Sequence, residues 1–345
     1  MKTLTNSIER IWYRDAVRYW PLIGLLWPLS LLFGAVAAWR KRILLQKKNT
    51  LSAPLVVVGN ISVGGTGKTP LLSALAKALT RRGIHVGIVS RGYGGTCRGE
   101  PRTVLTQDAP DVVGDEPLLL ARATGCPVVI GHSRLEAAQY LLAHHAIDLV
   151  LSDDGLQHYR LPRQVEIAVL DAQRGVGNGF LLPAGPLRES VSRLSTVDFV
   201  VVNGEMPAVR RKKLPQNLQA LVLNLLPECW VSVKTGEIFS LDVLDKKMPI
   251  HAVAGIGYPE RFFSTLRQLG FSIIEHAFPD HHVFSSSDLA FGDDNLILMT
   301  EKDAVKCAKF SASHWYALRV AMPLQDKWIE AVLTLAQQKY QQVTA

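Results

Sequence analysis

The chain is 345 residues long, 48% hydrophobic and 20% charged, with 38 Lys and Arg against 30 Asp and Glu for a formal net charge of +8. That length suits two globular domains, each able to bury a core of its own. Four well-separated cysteines (Cys97, Cys126, Cys229, Cys307) with no C-x-x-C pair argue against a disulfide framework or metal cage and for a reducing cytoplasm, and the lack of an aromatic-interleaved basic helix argues against a nucleic-acid partner.

At the N-terminus, Arg10, Arg14 and Arg18 precede an uncharged stretch from Tyr19 to Trp39, and Arg40, Lys41, Arg42, Lys47 and Lys48 follow it. The stretch is about as long as a bilayer span. Four readings compete: a cleaved signal peptide, a transmembrane helix, a buried core helix and an interfacial anchor. Pro21, Pro28 and basic residues on both flanks weaken the span, whereas Trp20, Trp27 and Trp39 beside arginines favour a helix lying among anionic headgroups. Residues 1–45 are therefore expected to be a membrane-associated helical segment. A further basic cluster, Arg210-Arg211-Lys212-Lys213, lies far along the chain, and an acidic membrane surface suits its charge as well.

Next comes an apolar, β-branched run, Val56-Val57-Val58, that stops at Gly59-Asn60, bends through Ile61-Ser62-Val63-Gly64-Gly65-Thr66-Gly67-Lys68-Thr69, and enters the helical pattern Pro70 to Leu79. Strand, glycine-rich loop and helix together make a nucleotide phosphate site of the P-loop kind. Backbone N–H groups of Ser62 through Thr69 would converge on phosphate, Lys68 would reach the β/γ-phosphates of ATP, and the Thr69 hydroxyl would bind Mg²⁺. Ser62 stands where the signature has its first glycine.

Beyond this loop, strand-like and helix-like stretches alternate. His85–Ser90, Cys126–Gly131, Ile147–Asp154, Val165–Asp171 and Val197–Val202 read as strands, the last closing the series. The fold class is α/β: a P-loop NTPase-like parallel sheet with helices on both faces, ligands at its carboxyl edge, and a second, smaller α/β domain. The expected division is a kinase-like domain over 46–225, a hairpin-like linker over 226–248 and the smaller domain over 249–345.

Phosphoryl transfer needs carboxylates near Mg²⁺ and a group to take the acceptor's proton. Asp153 and Asp154 end an apolar strand, where a metal-binding carboxylate belongs, with Gln157 and His158 on the same rim; a solvated turn is the alternative. Gly114-Asp115-Glu116-Pro117 is a second acidic pair, in which Asp115 is either a helix N-cap or a catalytic group. His281 and His282, in Pro279-Asp280-His281-His282, are a base, its partner or a metal ligand. Arg134 and Arg188 are candidates for an anionic substrate group.

These motifs, together with Ser90-Arg91-Gly92-Tyr93-Gly94, Pro183-Ala184-Gly185-Pro186-Leu187-Arg188-Glu189 and Thr300-Glu301-Lys302-Asp303-Ala304-Val305-Lys306, resemble in order the tetraacyldisaccharide 4′-kinase family, the lipid A 4′-kinases of Gram-negative bacteria. The resemblance implies ATP- and Mg²⁺-dependent phosphorylation of the 4′-hydroxyl of a tetraacylated glucosamine disaccharide 1-phosphate, giving lipid IVA. It implies Asp115 as base with His281 as its partner, Thr69, Glu116, Asp153 and Asp154 around the metal, and Asn60, Tyr93, Arg134, Gln157, His158 and Arg188 toward the lipid substrate. It also implies a monomer on the cytoplasmic face of the inner membrane, held by a monotopic or single-span N-terminal anchor. For Lys302 and Asp303, contact with the nucleotide and simple surface pairing stay open. From the P-loop alone, a membrane-associated ATPase switch or assembly factor competes with the kinase.

Overall fold

In a computed structural model of the chain, residues 10–14, 18–46, 49–97 and 99–344 are described; Lys47 and Lys48 lie outside the described residues. The first sheet contains β1 (Leu55–Gly59), β2 (Val86–Ser90), β3 (Arg102–Thr103), β4 (Val128–Ile130), β5 (Leu149–Asp153), β6 (Val165–Asp171), β7 (Phe199–Asn203) and β8 (Ala220–Leu223), in the order β3-β4-β2-β5-β1-β6-β7-β8. All neighbours are parallel except β3 with β4. Val56, Val57 and Val58 have no solvent exposure, because helices cover both faces of the central strands. The series does not close at β7, as expected from the sequence. β8 adds an edge strand, itself apolar, whose Val222 is half-exposed where the inner strands are buried on both faces.

Three helices of ten residues or more lie among these strands in the described residues: α2 (Lys68–Thr80), α3 (Asp115–Thr124) and α4 (Arg134–His144). They are numbered after α1 (Trp20–Leu45). Leu71, Leu72, Leu75, Ala76 and Leu79 recur at helical spacing on α2 and are all buried, which fixes the helix on the sheet behind the phosphate loop.

The second sheet contains β9 (Leu226–Ser232), β10 (Ile238–Phe239), β11 (Ile250–Ala254), β12 (Ile273–Ala277), β13 (Ile297–Thr300) and β14 (Trp315–Ala321), in the order β10-β9-β14-β13-β11-β12. Helices α5 (Pro259–Gln268), α6 (Glu301–Cys307) and α7 (Asp326–Thr344) follow in the chain. Two expected boundaries shift. The hairpin of the expected linker is built into this sheet, since β9 pairs antiparallel with β14 and buries Trp230. At the other end, α7 leaves the second sheet and lays Trp328, Ile329, Val332 and Ala336 into the core of the first.

Helix α1 is not the buried core helix that was one of its four readings. Leu25 is 73% exposed, Trp39 66% and Leu32 62%, and only Ile23 and Ser30 are buried. One narrow stripe docks on the segment after β6. The Ser30 hydroxyl donates to the Leu181 carbonyl at 2.9 Å and accepts from the Ala184 N–H at 3.0 Å, and a side chain at Gly34 would meet Leu181 Cδ1 at 2.8 Å.

Candidate active site

A cleft of about 1450 Å³ runs from α1 past the P-loop to the second sheet, lined by Phe33, Lys41, Lys68, Tyr258, His281 and Lys302 among others. Strand order explains why the chemistry gathers here. β5 lies between β2 and β1, so the loops after all three emerge side by side at the carboxyl edge, with Val58 in register with Asp153.

The P-loop is held from behind. Gly64 and Gly67 have φ of 104° and 92°, and a side chain at Gly67 would meet Asn203 Nδ2 at 2.3 Å. Asn60 is fully buried and donates to the Gly64 carbonyl at 3.3 Å and to Thr66 Oγ1 at 3.4 Å. Its amide nitrogen thus shapes the loop, while its Oδ1 is buried with no hydrogen-bond partner. Val63 likewise spends its N–H on the Pro186 carbonyl at 2.9 Å, and Ser62 forms a bridge with Leu187. Both therefore brace the loop. Among the described residues the N–H groups of Gly65, Thr66, Gly67 and Lys68 donate to no backbone acceptor and are left for an anion.

Lys68 Nζ lies 3.4 Å from Asp154 Oδ1, and Arg188 donates to Asp154 Oδ2 at 3.0 Å. Burial pushes the Asp154 carboxyl up, but Lys68 and Arg188 more than reverse this and hold it well below the usual range. Asp153 lies deeper. Burial, reinforced by Glu116 and Asp154, pushes its carboxyl up to about 7. Its Oδ2 accepts from Ser90 at 3.3 Å, while its Oδ1 is buried with no hydrogen-bond partner.

The remaining rim residues divide between ligand-facing and supporting positions. Arg134 donates through Nη2 to the Asp153 carbonyl at 3.0 Å, leaving Nε and Nη1 buried without partners, and its burial lowers the guanidinium to about 10. Gln157 ties the Asn60 carbonyl (3.0 Å) to Glu189 (2.7 Å). His158 is kept neutral, lowered to about 4 by burial and by Arg134.

Across the cleft, Asp115 opens α3 and is 5% exposed. His281 Nδ1, from the second sheet, lies 3.2 Å from Asp115 Oδ2. Burial would lower the imidazole, but its hydrogen bond to Asp115 raises it; burial would raise Asp115, but His281 and Lys302 lower it. The Tyr93 ring lies 4.8 Å from the His281 ring. His282 points elsewhere, to Asp288 at 3.4 Å and between Phe278 and Phe284.

Lys302, which the sequence left unassigned, binds Glu116 Oε1 at 2.9 Å and Asp280 Oδ1 at 3.2 Å and lies 3.4 Å from His281 Nε2. Asp303 is structural: fully buried, it accepts from the Gly255 N–H at 2.9 Å and the Thr300 hydroxyl at 2.7 Å. Arg261 was missed altogether. It reaches from α5 to Asp171 at the end of β6 and to the Asn203 carbonyl, tying the second sheet to the rim of the first. Asp171 ends its strand just as Asp153 does, a signal the sequence offered.

No three His, Cys, Asp or Glu side chains form a ready metal cage among the described residues. The donor set nevertheless fits Mg²⁺, which takes one or two carboxylates plus phosphate and water, because Asp153 keeps a buried oxygen with no hydrogen-bond partner and Asp154 one held only by the Lys68 ion pair, in the cleft that Thr69 also lines.

Residues 22–337 match the family described as Tetraacyldisaccharide-1-P 4′-kinase. A protein named tetraacyldisaccharide 4′-kinase from Alkalilimnicola ehrlichii is 50% identical over 303 residues, 86% of this chain and 87% of its own. Another of that name, from Hahella chejuensis, is 45% identical over 94% of this chain and 95% of its own. Among solved structures, LpxK from Aquifex aeolicus in complex with ATP superposes with a TM-score of 0.75 at 27% identity, covering 92% of this chain and 99% of that one.

Proposed function

Because this chain belongs to the tetraacyldisaccharide 4′-kinase family, we propose that its cleft moves the γ-phosphoryl group of ATP to the 4′-hydroxyl of a tetraacylated glucosamine disaccharide 1-phosphate through the Asp115–His281 pair. The free N–H groups of Gly65 through Lys68 hold the phosphates, and Lys68 exchanges Asp154 for the transferring group. Thr69, Asp153, Asp154 and Glu116 would hold Mg²⁺, which when bound offsets phosphate charge. The lipid oxygen bonds to the γ-phosphorus as the bond to the β-phosphate oxygen breaks and ADP leaves, and the hydroxyl proton passes to Asp115, with His281 as its hydrogen-bond partner. His281 Nδ1 holds Asp115 Oδ2, and the Glu116 N–H holds Oδ1 at 2.9 Å, so the carboxylate is aimed before substrate arrives.

The membrane reading rests on α1. Both ends of its docked stripe touch the catalytic unit, through Trp20 against Phe180 at 6.2 Å and Lys41 over Tyr159 at 4.9 Å. These contacts along one narrow stripe favour a helix lying flat in the interface over one that spans it, with its exposed leucines and tryptophans among acyl chains on the side where ATP is available.

The observation that carries the chemistry is the 3.2 Å contact between Asp115 and His281 in the same cleft as the P-loop. Transfer of labelled γ-phosphate to the disaccharide lipid in mixed micelles tests it. Asp115→Asn should lower kcat by about 10²–10⁴-fold with little change in the KM for ATP. A variant with wild-type turnover would remove Asp115 as the base. ATP hydrolysis without lipid labelling in the wild type would return the chain to the ATPase-switch reading.

A further inference from the structure

The cluster Arg210-Arg211-Lys212-Lys213 takes no part in the cleft, yet the fold brings it to the base of α1. After β7 the chain turns at Pro207 into a short helical turn, Ala208–Arg211. Arg210 donates to the Tyr13 carbonyl at 2.6 Å, and Lys213 donates to the Gly177 carbonyl at 2.6 Å. Arg211 caps the Leu218 carbonyl at 2.8 Å. These are backbone acceptors, and no carboxylate pairs with any of the four cations among the described residues. Arg211, Lys212 and Lys213 are exposed, and Val209 beside them is 72% exposed.

The position matters as much as the charge. Gly177 approaches Trp12 so closely that a side chain there would meet the Trp12 carbonyl at 2.7 Å, and Phe180, three residues on, touches Trp20 at the start of α1. Three residues span at most about 10 Å, which is also about one Debye length in physiological salt. The basic turn therefore lies near the N-terminal end of the exposed apolar helix, with exposed Val209 as an apolar tip on it. A leaflet carrying anionic headgroups offers both counter-charges and a place for Val209.

We propose that the turn Ala208–Arg211, with Lys212 and Lys213, is a second membrane contact that binds the phosphodiester headgroups of anionic phospholipid beside α1. The proposal rests on the interfacial reading of α1. It assigns affinity for the bilayer to α1 and preference for anionic lipid to this turn.

Vesicle co-sedimentation of the full chain separates the two. Wild type should bind phosphatidylcholine vesicles through α1 and bind more tightly when phosphatidylglycerol is included. In Arg211→Gln/Lys212→Gln the increment from phosphatidylglycerol should fall by about tenfold or more and depend less steeply on salt, given the contribution expected per basic residue near an anionic surface. Phosphatidylcholine binding, Tm and kinase turnover in non-ionic micelles should be unchanged. The exposed pair Lys246→Gln/Lys247→Gln, on the second sheet's side, should leave the increment intact. An increment that survives in the Arg211/Lys212 variant, or falls equally in the Lys246/Lys247 variant, overturns the proposal. Wild type that binds phosphatidylcholine with no increment also overturns it while leaving α1 as the anchor; wild type that binds neither vesicle overturns both. A wild-type protein that ignores phosphatidylglycerol but shifts RNA in a gel would overturn it in favour of a nucleic-acid face.

Discussion

Asp153 is a carboxyl held where its charge is unwelcome. It is 2% exposed, its Oδ1 lacks any donor, and its group is pushed up to about 7 by burial, with Glu116 and Asp154 adding to the effect. The folded-state pKa is raised above the unfolded value of about 4, so between those limits the folded state binds more protons and stability falls as pH rises. Asp153→Asn removes that cost. Metal-free protein carrying it should gain on the order of 5 °C in Tm at pH 8, with the gain shrinking steadily toward pH 4, while kinase activity is lost. Thermal scans of both proteins across that range check the sign, and a Tm gain independent of pH would mean the carboxyl is not the source of strain. A cation bound as proposed above would relieve this tension at the residue level.

The same economy governs the elements around it. The loop after β11 touches the P-loop so closely that a side chain at Gly257 would meet the Gly65 nitrogen at 2.8 Å. That nitrogen is one of the free donors for phosphate, and backbone cannot move aside as a flexible side chain would. Gly257→Ala should therefore push the second sheet off the P-loop and lower kcat by roughly tenfold or more through misplacement of His281, with Tm changed by only a few degrees. A steady-state comparison with a Tm check decides it, and unchanged kcat would show that the two loops need not touch in the working enzyme. Gly257 was invisible in the sequence because its partner lies nearly two hundred residues away. The same reason hid Lys302, bound to Glu116, and β9, whose partner β14 comes much later in the chain. By contrast β1, β5 and β6 were legible because burial on both faces leaves short apolar runs, interrupted only by Glu166 near the start of β6 and ending in carboxylates in β5 and β6, and the P-loop was legible because its glycines, lysine and threonine act within one turn. Asn60 and Val63 stand in that same loop, where the Asn60 amide donates to Gly64 and Thr66 and the Val63 N–H to Pro186, and a motif does not say which of its polar groups the fold has already used.

At the scale of the whole molecule, the two sheets are joined by more than the cleft. Arg261 spans them at the rim, and α7 returns from the second sheet to the first, pinned by Arg82 to Asp326, by Lys339 to Asp198 and by the Tyr340 hydroxyl to the Leu51 carbonyl at 3.2 Å. Trp328 is the anchor of this return. It is 8% exposed and meets Phe199 of β7 edge-on at 5.8 Å. Replacing a buried aromatic by alanine costs about 3–5 kcal/mol. Trp328→Ala should fall near the lower end, at about 3 kcal/mol, because the indole Nε1 is buried without a partner and its removal relieves that group. The location of the damage is the more telling readout. Amide hydrogen exchange should speed up in β7 and α2, which belong to the first sheet, and change little in β11 and β13, although Trp328 follows the second sheet in sequence. Exchange that speeds up only within residues 250–320 would instead make α7 a part of the second sheet's own stability. In the expected case the last helix of the chain holds the P-loop sheet from behind while the loops of the second sheet close on it from the front, so the Asp115–His281 contact is set by the fold of the entire chain.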